Sequence, residues 1–222
     1  MRDDDDGRRC VGRVDGSIYR RQRHVYDFTR KYYLLGRDRL IRRLDPPGGS
    51  RVLEIGCGTA RNLIVAARTY PGVRFFGIDI SSEMLETARR VVEREGLFDI
   101  RLARADATSF DPALLFGVPG FSRIFVSYSL SMIPGWQDVL GRALTWLAPG
   151  GELHVVDFGG QERLPGWFRT GLRQWLDLFH VTPRDELEAE LTLLGLRSGA
   201  ITVFERPYRG YAQYAICRRL AG

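Results

Sequence analysis

A glycine-rich turn between the first apolar run and the first helical pattern constrains this chain more than any other feature. Residues 52–62 read VLEIGCGTARN, so Gly56 and Gly58 follow the apolar residues at once. Glycine adopts positive φ and lets the backbone approach a ligand closely, and a helix N-terminus behind such a turn favours a carboxylate or phosphate. Ligands of open α/β sheets bind in the crevice beyond the carboxyl ends of the strands. The turn therefore predicts a small-molecule site on an α/β fold.

Short apolar runs alternate with helical patterns from residue 51 onward. We predict strands over 52–55, 73–79, 100–103, 122–127 and 152–157, with two further β-runs near 199–206 and 211–219. Helices are predicted over 59–70, 136–147 and a helix-rich segment at 164–194, and one more from a Ser81 or Ser82 cap to about Glu95. This alternation predicts a Rossmann-like α/β fold, with a mostly parallel seven-stranded sheet and helices on both faces.

The residues before the first strand divide into two parts. Residues 1–16 are polar and highly charged, which predicts a flexible tail. Residues 17–46 carry apolar residues at helical spacing with arginines on the other faces, which predicts an N-terminal helical cap. Residues 47–222 are then expected to form one domain.

The composition limits the classes of protein to which this chain can belong, but it does not identify a binding partner. The 222 residues carry a net charge of +6, which suits either nucleic acid or an anionic membrane surface. The N-terminus lacks the apolar stretch of a signal peptide, and three scattered cysteines form no metal-binding or disulfide pattern. We expect a cytoplasmic protein that needs no metal.

The spacing of the turn distinguishes between nucleotide ligands. A dinucleotide fingerprint requires Gly or Ala at the position that Arg61 occupies. The pattern acidic-x-Gly-x-Gly-x-small is met instead by Glu54, the two glycines and Ala60. This pattern resembles motif I of class I S-adenosylmethionine-dependent methyltransferases, in which the last position is more often Gly.

Three further features agree with that resemblance. Asp79 ends the second strand, 21 positions after Gly58, where an acid can accept both ribose hydroxyls. Asp106 and Ala107 follow the third strand, where these enzymes contact adenine, and the turn LAPGGELH before the fifth strand is similar to theirs. The resemblance implies S-adenosylmethionine as cofactor and S-adenosylhomocysteine as product, held by Tyr33, Glu54, Gly56, Cys57, Gly58, Thr59, Asn62, Asp79, Ile80, Met84, Asp106, Ala107 and Ser127. Two alternatives stay open, in which Glu54 pairs with a local arginine and Asp106 caps a helix.

A closer resemblance concerns the acceptor of the methyl group. Residues 19–41, 126–136, 154–159 and 178–184 look like the corresponding segments of bacterial betaine-lipid N-methyltransferases of the BtaB type, and the likeness extends over about residues 17–217. It implies three methylations of the amine of diacylglycerylhomoserine, giving diacylglyceryl-trimethylhomoserine. The expected partners are a lipid substrate at the inner face of the cell membrane and a separate enzyme that attaches homoserine, with no nucleic acid.

Aromatic rings and one histidine are the candidate groups around the acceptor. Methylation enlarges a cation, and cations bind aromatic faces, so we predict Tyr128 and Tyr32 as catalytic residues. His180 is predicted to guide the departing proton because histidine titrates near neutrality. The alternatives are core contacts for the tyrosines and a structural role for the histidine.

The segment 164–179 has the pattern of an amphipathic helix. It places Arg169 and Arg173 on one side and large apolar residues along another. Such a helix can lie in a lipid interface or close over an active site, and the sequence leaves both open. The apolar residues are Trp167, Phe168, Leu172, Trp175, Leu176 and Phe179.

Three other functions compete with this one. Another small-molecule methyltransferase, acting on phosphatidylethanolamine or a quinone ring, would use the same cofactor turn. An RNA methyltransferase is disfavoured because Ser127-Tyr-Ser-Leu replaces a base-stacking motif and no RNA-binding module is present. A non-catalytic binding protein is disfavoured by the complete set of predicted cofactor residues.

Overall fold

The computed structural model describes residues 34–179 and 181–220, in which seven strands form one sheet. Its order is β3-β2-β1-β4-β5-β7-β6. Strands β1 to β5 run parallel, and β7 is antiparallel to both β5 and β6. The predicted mostly parallel, Rossmann-like sheet is confirmed. The strands are β1 (Arg51–Ile55), β2 (Arg74–Asp79), β3 (Ile100–Arg104), β4 (Phe121–Ser127), β5 (Leu147–Phe158), β6 (Ala200–Glu205) and β7 (Ala212–Arg219).

Helices cover both faces of this sheet. Within the described residues they are α1 (Arg37–Leu44), α2 (Arg61–Thr69), α3 (Ser82–Arg94), α4 (Pro112–Phe116), α5 (Trp136–Thr145), α6 (Gly166–Asp177) and α7 (Leu187–Ser198). Single 3-10 turns lie at Leu130–Met132 and Tyr208–Gly210. Helix α1 packs against α2 and β5, whereas α5 and α7 pack against each other and the sheet. None of these helices combines the length and apolar character that crossing a bilayer would require.

A large apolar core lies between the sheet and helices α4, α5 and α7. It joins alternate residues of neighbouring strands, such as Ile55, Ile78 and Val126, to helix residues such as Leu140 and Leu191, all of which are fully buried. Because side chains alternate between the faces of a strand, the intervening residues face α1 and α2. Burying both faces explains why β1 and β2 read as continuous apolar runs.

Some element boundaries differ from the prediction. Strand β5 begins at Leu147 rather than 152, since Leu147 pairs with Phe121 before an irregularity in the register. Helix α5 therefore ends at Thr145, two residues before the predicted end at 147. The helix-rich segment 164–194 contains two helices, α6 and α7, and the short helix α4 was not predicted.

The N-terminal division is described only in part. The predicted tail, residues 1–16, and residues 17–33 of the predicted cap lie outside the described residues. Helix α1 belongs to the compact unit that begins at Leu35 and contains the whole sheet. Its last turn is held by Tyr70, whose hydroxyl lies 2.9 Å from the Ile41 carbonyl oxygen. The boundary between cap and domain stays a prediction.

Candidate functional site

The turn between β1 and α2 is built from left-handed backbone conformations. Gly56, Gly58 and Ala60 have φ of 72°, 52° and 63°. The amides of Gly56 and Cys57 both donate to the Ile78 carbonyl oxygen, at 2.9 and 3.0 Å, so the turn is fastened to the end of β2. A left-handed conformation costs a non-glycine residue about 1–2 kcal/mol, which is the physical reason for a preference for glycine at the place of Ala60.

Gly56 also allows the turn after β4 to come close. A Cβ added at Gly56 would lie 2.5 Å from the Ser129 Cβ and 2.6 Å from its Oγ. Ser129 is buried, and its hydroxyl donates to the Ile55 carbonyl oxygen at 3.1 Å. The glycine turn and the turn after β4 are thus two walls of one crevice at the carboxyl edge of the sheet. The sequence reasoning missed Ser129.

Asp79, the last residue of β2, lies against the glycine turn. Its Oδ2 accepts the Gly58 amide at 2.8 Å and its Oδ1 accepts the Ser81 amide at 2.9 Å. A carboxylate offers about four acceptor positions, so both oxygens keep capacity for two hydroxyl groups of a ligand. This geometry suits the expected ribose contact, and that contact stays a prediction.

The residues after Asp79 form one side of the crevice. Ile80 is 63% exposed, which is a large exposure for an aliphatic side chain directly beside a buried strand. Ser81 caps α3 by accepting the Met84 amide at 3.3 Å, as the sequence predicted. Ile80 and the half-buried Met84 give an apolar surface suited to a flat ring.

Glu54 and Asn62 form a buried polar pair under the glycine turn. The Asn62 side-chain amide donates to the Glu54 carboxylate at 2.7 Å, and the two residues are 1% and 8% exposed. The bond joins the end of β1 to the first turn of α2. The partner of Glu54 in this bond is an amide, where one alternative expected an arginine.

Cys57 lies in the same turn and is buried. Burial raises the pKa of its thiol well above the ordinary value, and the charge of Glu54 adds to the effect. A thiol with a raised pKa stays protonated and is a poor nucleophile. Thr59 is half-buried in the turn, and both residues remain predicted cofactor contacts.

Asp106 lies on the loop after β3, exposed to solvent. Its Oδ1 accepts both the Thr108 amide at 2.8 Å and the Thr108 hydroxyl at 2.7 Å, and the amide bond is the main cause of its lowered pKa. This closes a local turn and caps no helix, since the next helix, α4, begins at Pro112 with Asp111 as its cap. These two bonds do not use Oδ2, so the expected contact with an adenine amine stays a prediction, as does that of the half-buried Ala107.

Tyr128 follows β4 with a positive φ of 56°. Its ring is 2% exposed and packs edge to face against Phe158, with centroids 4.7 Å apart. Its hydroxyl donates to the Leu35 carbonyl oxygen at 2.5 Å, and burial raises its pKa well above the ordinary value. These contacts anchor the start of α1 to the end of β4. A contact of the ring with an acceptor cation stays a prediction.

Ser127, the last residue of β4, is 5% exposed, and its Oγ has no hydrogen-bond partner in the described part of the chain. An unpaired buried hydroxyl is costly. It lies at the carboxyl edge, next to Tyr128, where a polar group of a ligand could pair with it.

Asp157 is the functional candidate that the sequence reasoning overlooked. It is fully buried near the end of β5, and its oxygens accept the Ser131 amide at 3.1 Å and the Phe158 amide at 2.8 Å. Burial raises its pKa to about 6. By holding Ser131, Asp157 fixes the turn that contains Ser129. An acid ending an apolar strand at the ligand edge was the available signal.

The remaining predicted site residues are outside the described part of the chain. These are Tyr32, Tyr33 and His180, so their predicted roles stay predictions. Among the described residues, no group of three or more histidine, cysteine or acidic side chains is arranged to hold a metal ion.

Comparison with known proteins agrees with this geometry. Residues 52–151 match the family described as "Methyltransferase domain", and the sheet has a Rossmann-like order with β7 inserted antiparallel. The match spans the glycine turn, the acid that ends β2 and the loop after β3. Residues 52–151 are therefore similar to the methyltransferase domain of that family.

Curated relatives of the methyltransferase domain include the demethylmenaquinone methyltransferase of Listeria welshimeri. It is 28% identical over 150 residues, which cover 67% of this chain and 61% of that protein. Methyltransferase GfsG of Streptomyces halstedii is 33% identical over 124 residues, covering 54% and 42%. The chain therefore spans about three fifths of the length of the first of these curated relatives.

Solved structures share the fold of the methyltransferase domain. Haemonchus contortus phosphoethanolamine N-methyltransferase 2 in complex with S-adenosyl-L-methionine has a TM-score of 0.66 at 16% identity, covering 83% of this chain and 52% of that chain. The YcgJ protein of Bacillus subtilis has a TM-score of 0.63 at 14% identity, covering 84% and 99%. At these identities the likeness concerns the fold alone.

The matched part of the methyltransferase domain contains every predicted cofactor residue from Glu54 to Ser127. Tyr33 lies outside it. The residues of this segment suit a nucleoside ligand, because Asp79 is held beside the glycine turn by two amides and both of its oxygens keep further acceptor capacity.

Proposed function

We propose that this protein transfers methyl groups from S-adenosylmethionine to an amine on a membrane lipid. The use of S-adenosylmethionine is supported above all by the contact between the Gly58 amide and the Asp79 carboxylate at 2.8 Å. It joins the glycine turn to the acid that ends the neighbouring strand, and so prepares one continuous wall for a nucleoside with an attached amino acid.

The chain's own residues would bind and orient both reactants. Asp79 would accept hydrogen bonds from the ribose hydroxyls, Ile80 and Met84 would cover the adenine, and the glycine turn would contact the amino-acid part. The cofactor supplies an electrophilic methyl group on a sulfonium. Alignment of two reactants alone lowers a barrier by about 7–11 kcal/mol, so positioning is the main contribution that these residues need to make.

The acceptor needs a free lone pair. An amine with a pKa near 8 is about one-tenth free base at pH 7, so a strong base in the site is not required. In this proposal His180 and Tyr32 guide the departing proton and contact the growing cation. Tyr128 holds the start of α1 through its hydroxyl, and its ring is the predicted contact for the acceptor cation.

The proposed acceptor is diacylglycerylhomoserine, methylated three times to the betaine lipid. The four resembling segments support it, as does the basic character of the chain, with its net charge of +6. In this proposal the enzyme is cytoplasmic and peripheral on the membrane, next to the enzyme that attaches homoserine. Phosphatidylethanolamine, another membrane lipid with a free amine, is an alternative acceptor.

A quinone ring is the second candidate acceptor. It is favoured by the 28% identity over 150 residues to a demethylmenaquinone methyltransferase. The two acceptors differ in the bond formed, which is to nitrogen in one and to ring carbon in the other. Both acceptors carry long apolar chains, so the enzyme would bind either of them at a membrane.

The test is methyl transfer with purified protein and methyl-labelled S-adenosylmethionine. Diacylglycerylhomoserine, phosphatidylethanolamine and demethylmenaquinone are offered separately in the same detergent micelles, with Asp79→Ala as the inactive control. Label on the homoserine lipid, appearing as mono-, di- and trimethyl products, supports the proposal. Label on either other lipid alone ends the betaine-lipid assignment, and label on none ends the proposal.

A further inference from the structure

The turn after β4 has two halves that the structure holds separately. The first half, residues 128–129, is fastened to β1, since the Ser129 hydroxyl donates to the Ile55 carbonyl oxygen at 3.1 Å. Ser129 also carries the contact with the glycine turn, so this half belongs to the proposed cofactor side of the crevice. The second half, residues 130–133, follows in the chain and is fixed by side chains from other parts of the fold.

A single guanidinium, that of Arg184, bonds to the carbonyl groups of the second half. Its Nε donates to the Leu130 oxygen at 3.1 Å, and its Nη2 donates to the Ile133 oxygen at 2.9 Å. The same Nη2 lies 3.5 Å from the Ser131 oxygen, which also accepts the Thr182 amide at 3.0 Å. One side chain thus bonds to carbonyl groups at both ends of this half.

The Arg184 side chain reaches the turn from a fixed base. Its carbonyl oxygen accepts the side-chain amide of the buried Gln213 at 2.9 Å, and the same amide donates to the Phe158 carbonyl oxygen at 2.8 Å. The guanidinium carbon lies 5.9 Å from the centroid of the Trp136 ring, a distance that suits a cation–π contact. The residue is therefore tied to the end of β5, to the start of β7 and to α5.

Asp157 adds a second hold on the same half of the turn. Its carboxylate accepts the Ser131 amide at 3.1 Å, whereas the carbonyl group of Ser131 faces Arg184. Ser131 is 1% exposed, and Met132 beside it is 41% exposed. The second half is thus fixed by an acid and a base, and it presents one large apolar side chain to solvent at the carboxyl edge of the sheet.

We infer that Arg184 is a positioning residue of the proposed methyl transfer, which holds the second half of the turn as the wall against which the acceptor lies. This inference rests on the proposed function, because only a transferase needs an acceptor beside the cofactor. The guanidinium touches neither reactant and acts through the backbone of residues 130–133.

The separate anchors of the two halves give the inference a specific consequence. Because Ser129 is fastened to β1, a change at Arg184 should move the acceptor wall and leave the cofactor wall in place. Lysine is a poor replacement, since an ammonium is a compact point charge without the planar fork that reaches two carbonyl groups. A loss of transfer without a loss of cofactor affinity is therefore the expected signature.

The experiment compares Arg184→Gln and Arg184→Lys with Arg123→Gln in the 222-residue chain. Arg123 is a matched control near the amino end of β4, because its guanidinium also donates to three carbonyl oxygens. These belong to Leu44, Ser122 and Asp45, at 2.6, 2.9 and 3.0 Å. For each protein we measure Tm, the Kd for S-adenosylhomocysteine by calorimetry, and kcat and KM with the lipid that the native protein labels in the test above.

We expect Arg184→Gln to lower kcat by about 100-fold, because a displacement of about 1 Å at the reacting atoms can cost that much. Arg184→Lys keeps the charge and should lie between Arg184→Gln and the native protein. Arg123→Gln should lower Tm at least as far as Arg184→Gln, because it also loses an ion pair with Glu152 at 3.4 Å, and its kcat should stay native. The Kd for S-adenosylhomocysteine should stay close to the native value in all three variants.

Equal kcat values in Arg184→Gln and Arg123→Gln overturn the inference. So does a weaker Kd for S-adenosylhomocysteine in Arg184→Gln alone, which would place the second half of the turn on the cofactor side. If the glutamine variant does not fold, a native kcat in Arg184→Lys overturns the inference in its place. No label from the native protein on any offered lipid ends the proposed function as well, whereas equal transfer by the native protein and Arg184→Gln ends this inference alone.

Discussion

Asp79 has a structural role, and the proposed function gives the same carboxylate a ligand to bind. The two amides that it accepts, from Gly58 and Ser81, shape the crevice before any ligand arrives. A variant that removes the carboxylate therefore changes both the shape of the site and the bonds to a ligand. The two effects need a control that separates them.

Asp79→Ala is expected to weaken binding of S-adenosylmethionine without unfolding the protein. Losing two bonds to a charged acceptor costs about 3–6 kcal/mol, equivalent to a rise in Kd of at least about 100-fold. The control is Asp111→Ala, since Asp111 also accepts two amides, from Ala113 and Leu114, but caps α4. Calorimetric titration of both variants tests this, and equal affinities would remove the ribose role from Asp79.

Asp157 makes the fold sensitive to pH. Burial raises its pKa from 3.8 to about 6, so the folded state holds a proton that the unfolded chain has released. Between pH 4 and 6 the folded protein thus binds more protons, and stability falls as the pH rises. The stabilisation is complete below pH 3.8 and is lost as the pH passes through about 6.

The prediction compares the native protein with Asp157→Asn. The difference in their free energies of unfolding should shift by about 2–3 kcal/mol between pH 4 and 7, in the direction that disfavours the native protein at pH 7. Denaturant titration at intermediate pH values measures it. The Phe158 and Ser131 hydrogen bonds and, last, the charge of Arg184 act against this shift, and a difference independent of pH would show that burial does not raise the pKa of Asp157.

For individual residues, the sequence was informative where the spacing within a motif assigns a role to each position. Gly56, Gly58 and Asp79 lie together at the carboxyl edge of the sheet, Glu54 is buried beneath them, and their contacts with a ligand stay predictions. Tyr128 was predicted only for its ring, because nothing in its neighbourhood in sequence shows that its hydroxyl is bonded to Leu35, 93 positions away. Asp157 was overlooked for the same reason, since its partner Ser131 is 26 positions distant.

The glycine turn as an element depends on two different properties of glycine. At Gly56 both apply, namely a φ of 72° and a Ser129 side chain 2.5 Å from the missing Cβ. Gly72, in the turn before β2, has a similar φ of 81° with nothing within 4 Å of its missing Cβ. The pair allows the backbone contribution and the steric contribution to be measured separately.

Gly56→Ala should therefore be far more damaging than Gly72→Ala. The backbone cost of about 1–2 kcal/mol is common to both, and overpacking adds about 1–3 kcal/mol at Gly56 alone. The first variant should also lose cofactor binding, because the added methyl group would push the two crevice walls apart. Thermal unfolding and cofactor titration of both variants provide the measurement, and matching losses of stability would refute the close approach.

Element types were predicted more reliably than element ends. Strands β1 to β4 were located to within two residues because their apolar runs are bounded by glycine, proline or polar residues. The early start of β5 depends on the pairing of Leu147 with Phe121, a tertiary contact that no local pattern contains. Helix α4 has only five residues, which is too short for periodicity to identify.

Across the whole molecule, the sheet has two separate polar networks. One lies at the carboxyl ends of the parallel strands, beside the crevice, and the other lies nearer their amino ends, here called the opposite edge. At the opposite edge the buried His154 joins the Tyr214 hydroxyl at 2.9 Å to Glu152 at 3.0 Å. Arg218 donates to the other Glu152 oxygen at 2.7 Å. Together with its bond to His154, this holds the pKa of Glu152 down at about 2.

His154→Ala is expected to reduce stability and leave the ligand site intact. The loss of packing and of both partners' bonds costs about 2–4 kcal/mol, a fall in Tm of about 5–15 °C. The rise in Tm caused by saturating S-adenosylmethionine should equal that of the native protein. Ile201→Ala, at a site 58% exposed, is the surface control, and a smaller cofactor-induced rise in His154→Ala would show that the two edges communicate.

The strand order has a consequence for how the chain assembles during synthesis. Strand β6 emerges before β7, yet β7 is its neighbour in the sheet and separates it from β5. Until residues 212–219 are synthesised, β1 to β5 can form only a five-stranded sheet in which β5 is an unpaired edge strand. An unpaired edge strand can pair with another chain. The nascent protein is thus most vulnerable to aggregation just before β7 is inserted, when a chaperone would have the most to shield.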